Sequence, residues 1–481
     1  MNTLAYATIH ELQEQLAHKK ISHAELLDFF LDRFAQHDAK IGSSLEIFSK
    51  DSILKDYVPT GTLNGIPGLI KDNICQQNRI TSCASKMLEN YRATYDATAL
   101  ARLKNEGALS VGRANMDEFA MGSSTETSAF QKTRNPWNLD CVPGGSSGGS
   151  IAAVAAGLIP WSLGSETGGS VRQPAAFCGI VGLKPTYGLI SRYGLIAYAS
   201  SFDQIGIATR TVHDNAMVLS AIAGVDPKDS TTLMVEKKDY TQALKGTIKP
   251  GLKIGIIDNA LNAEGVDSHV HSAILSAIKE FEKMGASVRT LSLPSMDYGA
   301  AIYFILSRAE AASNLARFDG VRYGLRDKEA HSLLQLYEKS RKAGFGKEVK
   351  ARIMIGNYVL SVGHAAEFYN NAKIAQQMMR HEFDQIFKQV DILISPTTPT
   401  TAFKFGAFDN NKLQMDLQDY FTCSMNITGI PAISIPCGFS DDQMPIGFQL
   451  IGPHLSEELL MQTAYAYEQK TVWHTKHPVG F

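Results

Sequence analysis

Apolar residues recur at helical spacing from the start of the chain. Thr8 with Glu11 and Ser22 with Glu25 each fit the capping box, in which an N-cap hydroxyl and a Glu three residues on satisfy each other's backbone N–H groups. Behind the second box, Leu26, Leu27, Phe30, Leu31 and Phe34 form one apolar stripe. The spacing therefore predicts two amphipathic helices at the N-terminus. Farther along, Ser110 to Arg113 reads as a short strand and Ser150 to Leu158 as a helix of small residues. Lys253 to Ile257 reads as a strand, and Val270, Ala273, Ile274, Ala277, Ile278 and Phe281 give a helix face closed by Gly285. Ser287 to Leu293 returns as a strand, completing a βαβ unit. Long helical stretches around 347 to 388 lead to a strand at Asp391 to Ser395, and short apolar strands follow at Ala432 to Pro436 and Gly447 to Ile451. Helices covering both faces of a mixed central sheet bury these stripes most economically. The expected fold class is α/β, one domain over 1–481 with the helices of about 1–60 as an extension of the same core.

Composition narrows the function classes. The 481 residues are 44% hydrophobic and 20% charged, ordinary values for a folded chain. Lys plus Arg total 46 against 48 Asp plus Glu, so no bulk charge draws the chain to phosphate backbones or anionic membranes. The six cysteines are scattered without C-x-x-C spacing, which argues for free thiols in a reducing compartment and against a zinc site or disulfide framework. No apolar run approaches the about 20 residues that span a bilayer, and no signal-like segment opens the chain. The expectation is a cytoplasmic protein that touches neither membrane nor DNA. His269 and His271 form an H-x-H pair on different faces of a helix, so no metal site is expected there.

Gly and Pro cluster between 142 and 194, and the chemistry is sought there. Gly144-Gly145-Ser146-Ser147-Gly148-Gly149-Ser150 lacks the Lys of a phosphate loop. It nominally matches a G-x-S-x-G elbow at both Ser146 and Ser147, but Asn135 to Asn138 ahead of it looks like a turn rather than the strand an elbow requires. A flexible Gly/Ser loop fits the same letters. A second run, Gly164-Ser165-Glu166-Thr167-Gly168-Gly169-Ser170, follows the apolar Leu158 to Leu163. Paired glycines ahead of a serine allow successive N–H groups to converge on one point, as an oxyanion hole requires. Neither run contains a histidine to serve as base. Lys71, closing the apolar Leu63–Lys71 stretch, is a candidate, because desolvation lowers a lysine pKa by several units. Taken alone, a lysine beside Asp72 is more often an ion-paired structural residue.

Together, in this order, these segments resemble the amidase signature family and its Ser-cisSer-Lys triad. The resemblance implies Lys71 as base, Ser146 as bridging serine after a cis Gly145–Ser146 peptide, Ser170 as nucleophile, and Thr167, Gly168, Gly169 and Ser170 as oxyanion hole. Asn115 to Glu126, Thr133 to Trp137, Ser191 to Leu195 and Ser200 to Gly206 further resemble one branch, the glutamine-hydrolysing subunits of tRNA-dependent amidotransferases. That branch implies free glutamine as substrate, gripped by Arg352 and Asp419 with Tyr303 nearby. It implies a heterotrimer with B and C subunits, ATP and Mg²⁺ required by the complex but not bound by this chain, and misacylated tRNA reached through the partner. The tRNA would be Glu-tRNA(Gln), with Asp-tRNA(Asn) as a second candidate. Glu166, Cys141, Leu189 and Trp161 depart from the usual pattern, and the longer Glu166 side chain is expected to shift the oxyanion loop slightly. The rival readings are a freestanding amide hydrolase and an inactive scaffold subunit. An apolar pocket would favour the first and loss of a triad residue the second.

Overall fold

A computed structural model describes residues 4–409 and 411–481. Its strands are β1 (Ser44–Ile47), β2 (Pro67–Lys71), β3 (Leu109–Ala114), β4 (Trp161–Glu166), β5 (Val181–Lys184), β6 (Gln204–Thr209), β7 (Lys253–Ile257), β8 (Ser287–Leu291), β9 (Ile392–Pro396), β10 (Ala432–Phe439) and β11 (Pro445–Ile451). All belong to one mixed sheet in the order β1-β3-β2-β4-β6-β5-β10-β11-β9-β7-β8. β2 runs parallel to β3 and β4, and β7 runs parallel to β8 and β9. The remaining neighbours are antiparallel. β2, β4, β5 and β6 are buried at every residue, as strands covered on both faces must be. At the edge, β8 leaves Ser287, Arg289 and Thr290 exposed.

Both predicted capping boxes form, with Thr8 and Ser22 accepting from the N–H groups of Glu11 and Glu25. The small-residue helix runs Gly148–Ala155, beginning two residues earlier than its pattern suggests and ending before Gly157, whose φ of 63° stops it. Its glycines permit close packing: a Cβ at Gly149 would lie 2.3 Å from the Ser43 carbonyl oxygen. The stretch 347–388 divides into Lys347–Leu360 and Asn371–Ile386, with Gly363 at φ 92° between them. β10 and β11 extend beyond their predicted apolar runs, because a register shift between Pro436 and Gly438 lets pairing continue past the proline. All six cysteines are free and buried. Among the described residues no helix is long and apolar enough to cross a membrane.

Candidate active site

β2 and β4 are paired and parallel, so their carboxyl ends share one edge of the sheet. Lys71 ends β2, and the Thr167–Ser170 loop leaves the end of β4. The parallel pairing of these two strands thus delivers the lysine and the glycine-rich loop to the same place.

Lys71 is fully buried, and its Nζ lies 2.8 Å from Ser146 Oγ, 2.8 Å from Ser147 Oγ and 3.0 Å from the Ser165 carbonyl oxygen. Burial lowers its pKa to about 7, although the carboxylates of Asp117, Asp203 and Glu166 pull the other way. The Gly145–Ser146 peptide is cis. Asp117 holds this turn from behind. Its N–H donates to the Ser146 carbonyl at 3.2 Å, and its carboxylate approaches so closely that a Cβ at Gly145 would stand 2.1 Å from Oδ2. Gln173 clasps the other side, accepting from Gly145 N–H at 3.0 Å and donating to the Ser123 carbonyl at 2.9 Å.

Three carbonyls of the glycine-rich loop accept hydrogen bonds from the surrounding protein. Gly168 O accepts from Thr422 Oγ1, Gly169 O from Gln173 N–H, and Ser170 O from Ser147 N–H. Among the described residues the N–H groups of Gly168, Gly169 and Ser170 find no acceptor, which leaves a row of donors for an oxyanion. Ser170 is only 6% exposed, and no hydrogen bond joins its Oγ to Ser146 among the described residues. The backbone places it, through the Ser147–Ser170 bond. Glu166 closes the loop at its base: Oε2 accepts from the N–H groups of Val171 and Arg172, and Oε1 pairs with the Arg172 guanidinium. Its carboxylate bridges the two ends of the Thr167–Ser170 turn. Trp161, another departure from the usual pattern, fits because its ring lies over Gly68, where a Cβ would meet the indole at 2.1 Å. Cys141 joins a small apolar cluster with Val142 and Phe177, and Leu189 is buried in the main core.

Two more expected residues adjoin the loop. The Tyr303 ring covers Gly168, where a Cβ would stand 2.6 Å from Cζ. Asp419 reaches Gly169, where a Cβ would stand 2.8 Å from Oδ1. The Asp419 Oδ2 accepts from Ser123 Oγ at 2.5 Å, but Oδ1 is shut off from solvent and has no hydrogen-bond partner among the described residues. Burial raises this carboxyl to about 8, with the charge of Arg352 pulling it down. Arg352 stands farther back on the helix Lys347–Leu360. It is buried, not the solvated surface charge that a lone helical Arg suggests, and it touches Glu348 and Tyr198 rather than Asp419.

The sequence profile of the amidase family matches residues 25–461. The chain belongs to the amidase family. This amidase is 51% identical to the A subunit of glutamyl-tRNA(Gln) amidotransferase from Halothermothrix orenii, over 98% of each chain. Among solved structures it is similar to the corresponding protein from Thermotoga maritima, with TM-score 0.84 and 39% identity over 97% of this chain and 95% of the other. It is also similar to the peptide amidase of Stenotrophomonas maltophilia, with TM-score 0.81 and 30% identity over 97% and 98%.

Sequence reading passed over several residues of this amidase site. Ser147 touches Lys71 as closely as Ser146 does, and its place in the nominal elbow pattern was the available signal. Asp117 and Asp203 lie within segments that carried the resemblance but no individual role, and Gln173 and Tyr198 take partners far along the chain, Gly145 and Arg352. His269 pairs with Asp267 and Asp441, and among the described residues no cluster of three or more His, Cys, Asp or Glu side chains could hold a metal ion.

Proposed function

We propose that this amidase hydrolyses glutamine and supplies the ammonia to a tRNA-dependent amidotransferase. The observation that carries the reading is the buried, unpartnered Asp419 Oδ1 beside Gly169, with the Arg352 charge beyond it. A buried carboxyl without an ion-pair partner and a guanidinium whose charge reaches it suit the ammonium and carboxylate of a free amino acid. A peptide amidase or simple amide hydrolase gains nothing from them. The identity to amidotransferase A subunits over the whole chain supports the same choice.

In this mechanism Ser170 Oγ attacks the side-chain amide carbon and the N–H groups of the Thr167–Ser170 loop stabilise the oxyanion. The proton count around Lys71 sets the direction of transfer. Ser147 Oγ donates to the Ser165 carbonyl, so it accepts from Nζ, and Nζ donates also to Ser165 O. A neutral amine has two N–H bonds to give, and its lone pair is left for the Ser146 hydroxyl proton. Ser146 in turn takes the Ser170 proton, and the same path returns a proton to the departing nitrogen. Ammonia leaves, and water attacks the acyl ester to release glutamate and free Ser170. We assign ATP, Mg²⁺ and the misacylated tRNA, Glu-tRNA(Gln) with Asp-tRNA(Asn) as second candidate, to partner B and C subunits of a cytoplasmic heterotrimer.

Two measurements follow. Because the base must be neutral and its pKa in the substrate-free protein is lowered to about 7, kcat/KM for glutamine rises with pH through that value. A rate that falls or stays flat from acid to neutral pH removes Lys71 from the base role. The clamp is tested by steady-state kinetics of Arg352→Ala and Asp419→Ala on glutamine and on butyramide. Each should cost glutamine about 2 to 5 kcal/mol in kcat/KM, mostly as KM, and leave butyramide unchanged. If both variants keep wild-type glutamine kinetics, and butyramide is the better substrate of wild type, the freestanding hydrolase is the correct reading.

A further inference from the structure

The segment Tyr198–Asp203 touches Arg352, Tyr303 and the Thr167–Ser170 loop. At one end the Tyr198 hydroxyl accepts from Arg352 Nη1 at 2.7 Å and donates to Ser307 Oγ at 3.0 Å. At the other end Asp203, 3% exposed, accepts from Thr167 Oγ1 at 2.7 Å through Oδ1. Its Oδ2 accepts from the N–H groups of Tyr198 and Ala199 at 2.8 and 2.9 Å. Between them Phe202 packs edge-on against Tyr303, with ring centroids 6.3 Å apart. One short turn therefore spans from the guanidinium to the oxyanion loop.

The guanidinium is held in one orientation by this arrangement. Its Nε donates to Glu348 Oε1 at 2.7 Å, and Tyr198 fixes Nη1 while its ring lies 5.5 Å from Cζ. A planar fork with two donors anchored holds its remaining donors in fixed directions within one plane. We propose that Tyr198 is a positioning and specificity-determining residue, which aims Arg352 at the substrate carboxylate, and that Asp203 ties this aim to the oxyanion loop. The proposal rests on the glutamine reading above. Tyr198 touches no reacting atom and acts through Arg352. Asp203 acts through Thr167 on one side and through the backbone of Tyr198 on the other. A substrate with a correctly placed carboxylate then meets a loop already set for attack, whereas an uncharged amide engages the loop alone.

The full-length chain tests this with Tyr198→Phe, which removes one oxygen and keeps the ring beneath the guanidinium. KM for glutamine should rise about tenfold, equivalent to about 1.4 kcal/mol, with kcat within about twofold, and both constants for butyramide should stay within about twofold. In an Arg352→Ala background the same substitution should add no further rise, because the group it positions is gone. Asp203→Asn places an amide where three donors converge and should lower kcat on both substrates. If that variant does not fold, Thr167→Val removes the same link from the other side and should lower kcat on both substrates as well. An equal KM rise on butyramide, or full multiplication of the Tyr198 and Arg352 effects, overturns the positioning role. An unchanged kcat in a folded Asp203→Asn or Thr167→Val enzyme overturns the coupling. If Arg352→Ala itself leaves glutamine KM untouched, the clamp reading has failed. If Arg352→Ala raises KM and Tyr198→Phe does not, only this inference has failed.

Discussion

Ser170→Ala should abolish glutamine hydrolysis, a loss of about a thousandfold or more, while leaving the fold intact. The side chain that is truncated is nearly buried, and its Oγ makes no hydrogen bond to Ser146 among the described residues, so the variant removes the proposed nucleophile without orphaning that partner. Its melting temperature should match wild type, and stability should change by no more than about 0.5 kcal/mol. Mass spectrometry of the enzyme quenched with glutamine should show a glutamyl adduct on wild type and none on the variant. Assembled with the proposed partner subunits, the variant should still amidate tRNA when ammonium is added. A variant that hydrolyses glutamine near the wild-type rate would refute Ser170 as nucleophile.

Lys71→Arg should be as inactive as Lys71→Ala, again a loss of about a thousandfold or more, because a guanidinium does not deprotonate in proteins and cannot take a proton from Ser146. The charge is retained in the Arg variant, so the pair of substitutions separates a base from an electrostatic anchor. A tenth of wild-type rate in Lys71→Arg, a loss of only about 1.4 kcal/mol, would assign the lysine an electrostatic role. Ser146→Ala and Ser147→Ala sharpen the comparison. Both hydroxyls lie 2.8 Å from Nζ, but the Ser147 proton is committed to the Ser165 carbonyl. Ser146→Ala should therefore lose far more activity than Ser147→Ala, and the reverse order would move the bridging role to Ser147.

The N-terminal helices and the βαβ unit from Lys253 were legible because each has one wet face, and apolar spacing records which face is dry. The centre of the sheet was not. β4 reads Trp-Ser-Leu-Gly-Ser-Glu and is buried throughout, so its polar letters mark hydrogen-bonded interior positions rather than solvent. β2 gives a continuous apolar run for the same reason, and its final lysine was visible as a candidate only because a charge ended that run. The glycine-rich runs were readable in composition but ambiguous in role. Their function depends on a carbonyl partner such as Thr422, which lies 254 positions from Gly168. The link from Tyr198 to Arg352 spans 154 positions, and no local pattern encodes such a pairing. Glu166 shows the converse case. Its letter alone marked a departure from the pattern, and only the fold shows its carboxylate closing the loop that bears Ser170.

The order of strands has a consequence for how the protein emerges from the ribosome. The half of the sheet ending at β5 and the half from β7 to β9 meet only through the hairpin of β10 and β11, which is made last. Until Ala432–Ile451 leaves the exit tunnel, β5 and β9 each present an unpaired row of backbone donors and acceptors. A nascent chain of this kind invites strand addition from its neighbours, and a protein that ended before this hairpin would keep both edges open permanently. The β5 edge stays open while everything from β6 to β10 is synthesised, whereas the β9 edge waits only for the hairpin that follows it.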